Sequence, residues 1–110
     1  MSQTEKTDSK LAHNVFFALK DDSDAAVRTL IEDCFTYLRE HTGVLFFSAG
    51  RLVSEHRRDG NDREFEVGLH IIFTNKKAHD DYQAAPKHQE FIERNRENWA
   101  KVRVFDTYVM

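Results

Sequence analysis

Cysteine is almost missing from this chain: Cys34 stands alone among 110 residues. No disulfide can form within the chain, so the core must hold the fold, and a reducing compartment is compatible. Cys34 falls on the apolar side of a predicted helix and reads as a small buried hydrophobe before it reads as a nucleophile. Breakers are sparse too. One proline and four glycines leave few interruptions, and neither a repeat nor a glycine-rich phosphate loop is visible. There is no basic excess: 16 Lys and Arg stand against 19 Asp and Glu, for a net charge of −3. That balance excludes the electrostatic footprint of a nucleic-acid binder or of a polybasic membrane-surface protein. No apolar run approaches the roughly 20 residues needed to cross a bilayer. The first ten residues, MSQTEKTDSK, carry no apolar stretch, so they read as a flexible tail rather than a secretory signal. One domain over residues 11–110, in the cytoplasm, is the expectation.

What the chain does have is periodicity. In LAHNVFFAL (11–19), His13, Val15, Phe17 and Leu19 share one strand face, and Asn14, Phe16 and Ala18 the other. Ser23 is placed to cap a helix carrying Val27, Leu30, Ile31, Cys34, Phe35 and Leu38 at helical spacing, with Asp22 and Asp24 at its positive end. Gly43 is expected as its left-handed terminator. A second strand follows over 44–53, where Gly50 suggests a bulge or a close backbone approach. SEHRRDGND (54–62) reads as a charged hairpin loop, with Asp59-Gly60 at a turn. EFEVGLHIIFT (64–74) alternates cleanly, with Phe65, Val67, Leu69, Ile71 and Phe73 on one face. Asn75 caps a short helix through Ala85, Pro86 starts another to about Ala100, and the last strand spans 101–109.

The order β-α-β-β-α-β is the ferredoxin-like pattern, an α+β fold with a four-stranded antiparallel sheet and helices on one face. The other sheet face would carry Asn14, Phe16, Ala18, His70, Ile72 and one of Phe46 and Phe47. Large apolar groups on a bare face call for a partner. A homodimer through that face, across a twofold axis, is the expected assembly.

Polar groups converge on the opposite side of the sheet. Ala78, Tyr82 and Ala85 follow i, i+4, i+7 spacing, which turns Tyr82 inward. His88 shares a face with Phe91, Ile92, Asn95 and Trp99. It also sits in the first turn after Pro86, where the helix dipole and burial both favour a neutral imidazole. His13 is in phase with the inward face of the first strand. A phenol and two imidazoles aimed at one space have two readings. They are satisfied core groups, or His88 is a general base with Tyr82 as hydrogen-bond donor and His13 orienting the substrate. His79 flanks the same region, but its charged neighbours favour solvent. Asp106, in phase with Val102 and Val104, is a candidate buried carboxylate with a structural hydrogen bond. No His, Cys or carboxylate grouping has metal-ligand spacing, so no metal is expected, and without an axial-ligand signature no cofactor is expected either.

HNVFFALK, Gly43-Val44, Gly50, IIFTNKKAHDDYQAAPKH and VFDTYV together resemble the stress-responsive dimeric α/β-barrel (Dabb) family, over about 11–109. The resemblance implies a dimer whose two sheets pack into a barrel. In a characterised plant cyclase of that family, which closes a polyketide by an aldol reaction, the catalytic tyrosine and histidine fall on Tyr82 and His88. A further pocket histidine falls on His13. A third-strand pocket position falls near Val67, which with Phe91 would line the substrate space. The sequence thus leaves proton-transfer or aldol-type chemistry on a carbonyl or phenolic compound as the first functional reading, and a non-catalytic stress-associated homodimer that binds a small apolar ligand or a protein as the second; a haem-binding or cofactor-free oxygenase, as in related dimeric barrels, ranks last.

Overall fold

The computed structural model describes residues 9–110. Residues 1–8 of the expected tail lie outside the described residues, and Lys10 already belongs to the first strand. The elements are β1 (Lys10–Leu19), α1 (Asp24–Leu38), β2 (Val44–Arg51), β3 (Val67–Phe73), α2 (Lys76–Ala84), α3 (Pro86–Asn95), a 3-10 turn (Arg96–Asn98) and β4 (Trp99–Val109). They form one antiparallel sheet in the order β2-β3-β1-β4. This is the expected ferredoxin-like fold.

Strict alternation in β1 buries Leu11, His13, Val15, Phe17 and Leu19 beneath the helices. Val67, Leu69, Ile71 and Phe73 of β3 do the same. Each of these apolar side chains contributes roughly 1.5–3 kcal/mol by leaving water, whereas the buried His13 needs a polar partner. From α1 the core receives Val27, Leu30, Cys34 and Leu38. Ser23 caps that helix, its Oγ accepting from the Ala26 amide at 3.3 Å. Phe35, expected in the inward stripe, lies at its margin instead and packs edge-on against Phe47, centroids 5.1 Å apart. The same helix buries a charge that periodicity did not flag. Asp33 accepts from Arg94 Nε at 3.1 Å and from Asn95 Nδ2 at 3.0 Å, tying α1 to α3.

Several boundaries differ from expectation. Gly43 does adopt a left-handed φ of 88°, but α1 has already ended in a right-handed Arg39, so the glycine serves the turn into β2. Gly50 faces open space and pairs in regular register with Gly68; the irregularity lies between Val44 and Phe46. β3 starts at Val67 rather than Glu64. The helix after Pro86 ends at Asn95, and β4 begins at Trp99, two residues early, because the 3-10 turn uses up the segment read as a last helical turn.

The uncovered sheet face carries Phe16, Phe46, His70, Ile72 and Phe105. Phe46 is the member of its pair that joins it, opposite Ile72, while Phe47 lies opposite Ile71 on the helix side. Phe46 and Phe105 are each about half exposed. Phe16 meets Phe65, Phe105 and His70 edge-on.

Candidate functional site

α2 and α3 form one bent arm over the sheet. Asn75 starts it, its side chain accepting from the Ala78 amide at 2.9 Å. Ala85, extended at φ −68° and ψ 143°, and Pro86 at the first helical position then break the arm. Continuing α2 would have carried His88 past Tyr82. The break folds it back, so the two rings stand 4.8 Å apart at 65°.

Tyr82 is the hub of an aromatic cluster. His13 lies 6.0 Å from it, His41 5.1 Å and Phe73 5.1 Å, all by ring centroids. Burial pushes its phenol well above the ordinary tyrosine range, with Cys34 adding to the effect. Tyr82 therefore stays a neutral donor. Cys34 is itself fully buried, and burial, reinforced by Asp33, pushes its thiol up to about 12. It is an inert core thiol.

His88 is buried, and burial lowers its pKa to about 4, helped by the nearby His13, His41 and His79 and opposed by a hydrogen bond to the Gln83 backbone. Its Nδ1 is buried with no hydrogen-bond partner. His13 is 4% exposed. Its pKa is lowered by burial, against the raising effect of Asp106, whose Oδ1 accepts from its Nδ1 at 2.6 Å.

A cleft of about 180 Å³ opens among these groups. His13, Tyr82 and His88 line it together with Phe91, Leu69 and Trp99. Val67, expected in the wall, is not among the lining residues: it is fully buried in the core, and Leu69, one strand repeat further on, takes the place expected for it. On the β4 side the cleft is bounded by Val102 and Val104, which no helix covers.

The structure adds groups that sequence reasoning placed elsewhere. His79, read as solvated, has a side chain only 15% exposed, and its ring stands 4.9 Å from that of His13. The signal was its position three residues before Tyr82, adjacent on a helix surface. His41 had no signal in helical or strand phase, since it lies in the loop after α1; its Nε2 donates to the Tyr37 carbonyl at 2.8 Å. Asp106 makes the expected hydrogen bond, but its side chain is 43% exposed rather than buried, because β4 is an edge strand. Although no metal spacing is visible in the sequence, the fold gathers His13, His79 and Asp106 so that one donor atom from each lies within 4.8 Å of the others.

Fold and cleft define a ferredoxin-like α+β domain with a histidine- and tyrosine-lined apolar pocket between sheet and helices. The chain belongs to the stress responsive A/B barrel domain (Dabb) family, whose family model matches residues 11–109. Solved structures share its fold. A Dabb family protein with a ferredoxin-like fold from Mesorhizobium loti is 22% identical, with a TM-score of 0.76 over 93% of this chain and 98% of that one. A dimeric ferredoxin-like protein of unknown function from Thermobifida fusca is 13% identical, with a TM-score of 0.76 over 92% of each chain. The hydroxynitrile lyase from Passiflora edulis is 15% identical, with a TM-score of 0.74 over 94% of this chain and 95% of that one. No curated protein matches the chain.

Proposed function

We propose that the cleft binds a small carbonyl or phenolic compound and moves a proton on it, in a homodimer formed through the open sheet face. The observation that carries the reading is the buried, unpartnered Nδ1 of His88 beside the Tyr82 ring. Buried polar atoms are nearly always paired, and a basic nitrogen left unpaired next to an apolar cleft is suited to receive a proton from a bound molecule. A depressed pKa keeps it unprotonated at neutral pH.

In this mechanism His88 takes a proton from the carbon next to a carbonyl. The Tyr82 phenol donates a hydrogen bond to the oxygen on which negative charge develops. His13, held at Nδ1 by Asp106, presents Nε2 to orient a substrate hydroxyl. Phe91, Leu69 and Trp99 supply the apolar wall. At about 180 Å³ the space falls short of the roughly 300 Å³ at which drug-sized ligands begin to fit. It exceeds the roughly 150 Å³ that holds a benzene ring. A one-ring or short-chain compound is the class that fits. The hydroxynitrile lyase shows that a protein of this fold can be an enzyme.

The test is α-deuterium exchange on acetophenone in heavy water. The wild type should exceed the buffer rate, and His88→Gln should lose on the order of 100-fold of that gain, with Tyr82→Phe losing less. Exchange at the buffer rate, without movement of the His88 ring resonances on adding acetophenone or phenol, would overturn the reading. The second reading, a non-catalytic stress-associated homodimer, is favoured by the half-exposed Phe46 and Phe105 on the open face. Dimeric relatives of the same fold support a second copy as the occupant of that face. A buried reduced Cys34 fits a cytoplasmic setting.

A further inference from the structure

We propose that His13, His79 and Asp106 form a binding site for a divalent transition metal of the zinc, cobalt(II) or iron(II) kind, at the outer end of the cleft. The inference does not rest on the proton-transfer reading: the two share His13 and Asp106, but neither the proposed base His88 nor the proposed donor Tyr82 is a ligand.

Three separate elements build the site. The β1–β4 register sets His13 directly opposite Asp106, and α2 lays His79 over both. One donor atom from each lies within 4.8 Å of the others. The set is graded in depth. His13 is at the floor with a side chain 5% exposed, and Asp106 is at the mouth with 43%. Above it lies a second cleft of about 300 Å³, bordered by Leu11, Lys76, His79, Asp80, Asp106 and Tyr108. A cation can therefore arrive from solvent and find a buried imidazole behind it.

The donor set selects the metal. Two imidazole nitrogens and one carboxylate oxygen suit zinc and its neighbours in the first transition row, whereas magnesium and calcium prefer all-oxygen shells. Three protein ligands leave a position open for water or a substrate oxygen, the arrangement of catalytic rather than structural sites. Tetrahedral bonds of about 2.0–2.2 Å put donors roughly 3.4 Å apart. Closing the set needs side-chain shifts on the order of 1 Å, and the two ligands nearer solvent are free to make them.

The surroundings already orient His79. Its Nδ1 lies 3.1 Å from Asp80 Oδ1, an outer-shell contact with an exposed side chain that can move with the ring, and it leaves Nε2 for a cation. The Gln83 amide, 3.5 Å from that Nε2, is the group a metal would displace. Lys76, the cation at the rim, is tied to Asp80 at 2.7 Å, so its charge is offset there.

The test uses the full chain, stripped with a chelator and titrated with cobalt(II) while visible absorption is followed. The expected result is one cobalt per chain, with the intense d–d bands of a low-coordinate site that zinc then abolishes. His79→Ala and Asp106→Asn should each weaken binding at least tenfold, and His56→Ala, in the exposed loop, should leave it unchanged. Asp106→Asn keeps the shape of the side chain and His79 sits at the rim, so at least one variant retains the fold, as its thermal melt will show. Absence of the bands at stoichiometric cobalt, or wild-type affinity in a folded His79→Ala or Asp106→Asn chain, would overturn the proposal. Absence of acetophenone exchange in the metal-free chain, with cobalt binding intact in a separate titration, would overturn only the proton-transfer reading.

Discussion

The rings of Tyr82 and His88 meet edge to face at 4.8 Å, one on each side of the break at Ala85-Pro86. The break creates the pair, and the burial it imposes sets the acid–base state of both groups. In an NMR titration of the ring carbons, His88 should titrate near pH 4 rather than near 6.5. The groups facing it are His13 from β1, with Asp106 behind, His41 from the loop after α1, and His79 and Tyr82 from α2.

The same shift has a consequence for stability. Below pH 6.5 the unfolded chain protonates this histidine, while the folded chain does so only below about 4. Between those values the unfolded state holds more protons, so folding stability from this group falls as pH drops from 6.5 toward 4. The full penalty is on the order of 3 kcal/mol. Urea unfolding at pH 7 and pH 4.5 should show the loss, and His88→Leu should diminish it. Equal pH dependence in both proteins would show that His88 is not the group responsible.

Phe16 lies at the centre of the open sheet face, in contact with Phe65, Phe105 and His70. Phe16→Asp would leave an unpaired carboxylate in any interface formed there. Light scattering should report a monomer for the variant and a dimer for the wild type. A dimer of unchanged mass would move the interface elsewhere.

Gly43 adopts φ 88°, and a Cβ built on it would lie 2.5 Å from the Ala78 Cβ. Its carbonyl also accepts from the Thr74 amide at 2.8 Å, so the turn cannot move independently of the β3–α2 junction. Gly43→Ala should cost about 1–3 kcal/mol, measured as a lower urea midpoint. A loss below about 0.5 kcal/mol would mean that α2 yields easily at Ala78.

Cys34 has no exposed surface, and its thiol is pushed up to about 12. A thiol reagent such as Ellman's should not modify the native chain at pH 8 and should react fully in denaturant. Prompt native reaction would show that α1 opens locally far below the global unfolding energy.

The elements whose pattern depends on a single buried face were legible in the sequence. β1 and β3 alternate strictly because each has one side under helices, and Ser23, Asn75 and Pro86 act through their own backbone neighbours. What escaped the reading depends on distant chain. Asp33 looks like a surface residue until α3 brings Arg94 and Asn95 against it. His79 sits beside Asp80 and Asp81, which pointed to solvent, yet the angle between α2 and the sheet tucks its ring against His13. Val67 and Leu69 lie on the same strand face, and only the position of the helical arm above β3 decides which one borders the cleft. Asp106 has the right phase, but phase cannot tell an edge strand from a central one.

On the inner face of β4, Val102 and Val104 lie beyond the reach of the helices and stand partly in solvent. A small molecule can thus reach the neighbourhood of His88 without a segment of backbone lifting away, so its exchange should be governed by dehydration of the cleft and not by a conformational gate. The arrangement also separates two kinds of change. His13, Tyr82 and His88 sit on β1 and the helical arm, while the width of the opening is set by two valines on an edge strand outside the core. Enlarging or shrinking either valine would change the width of the opening while leaving Tyr82 and His88 where they are, so the mouth of the cleft can vary at little cost to folding.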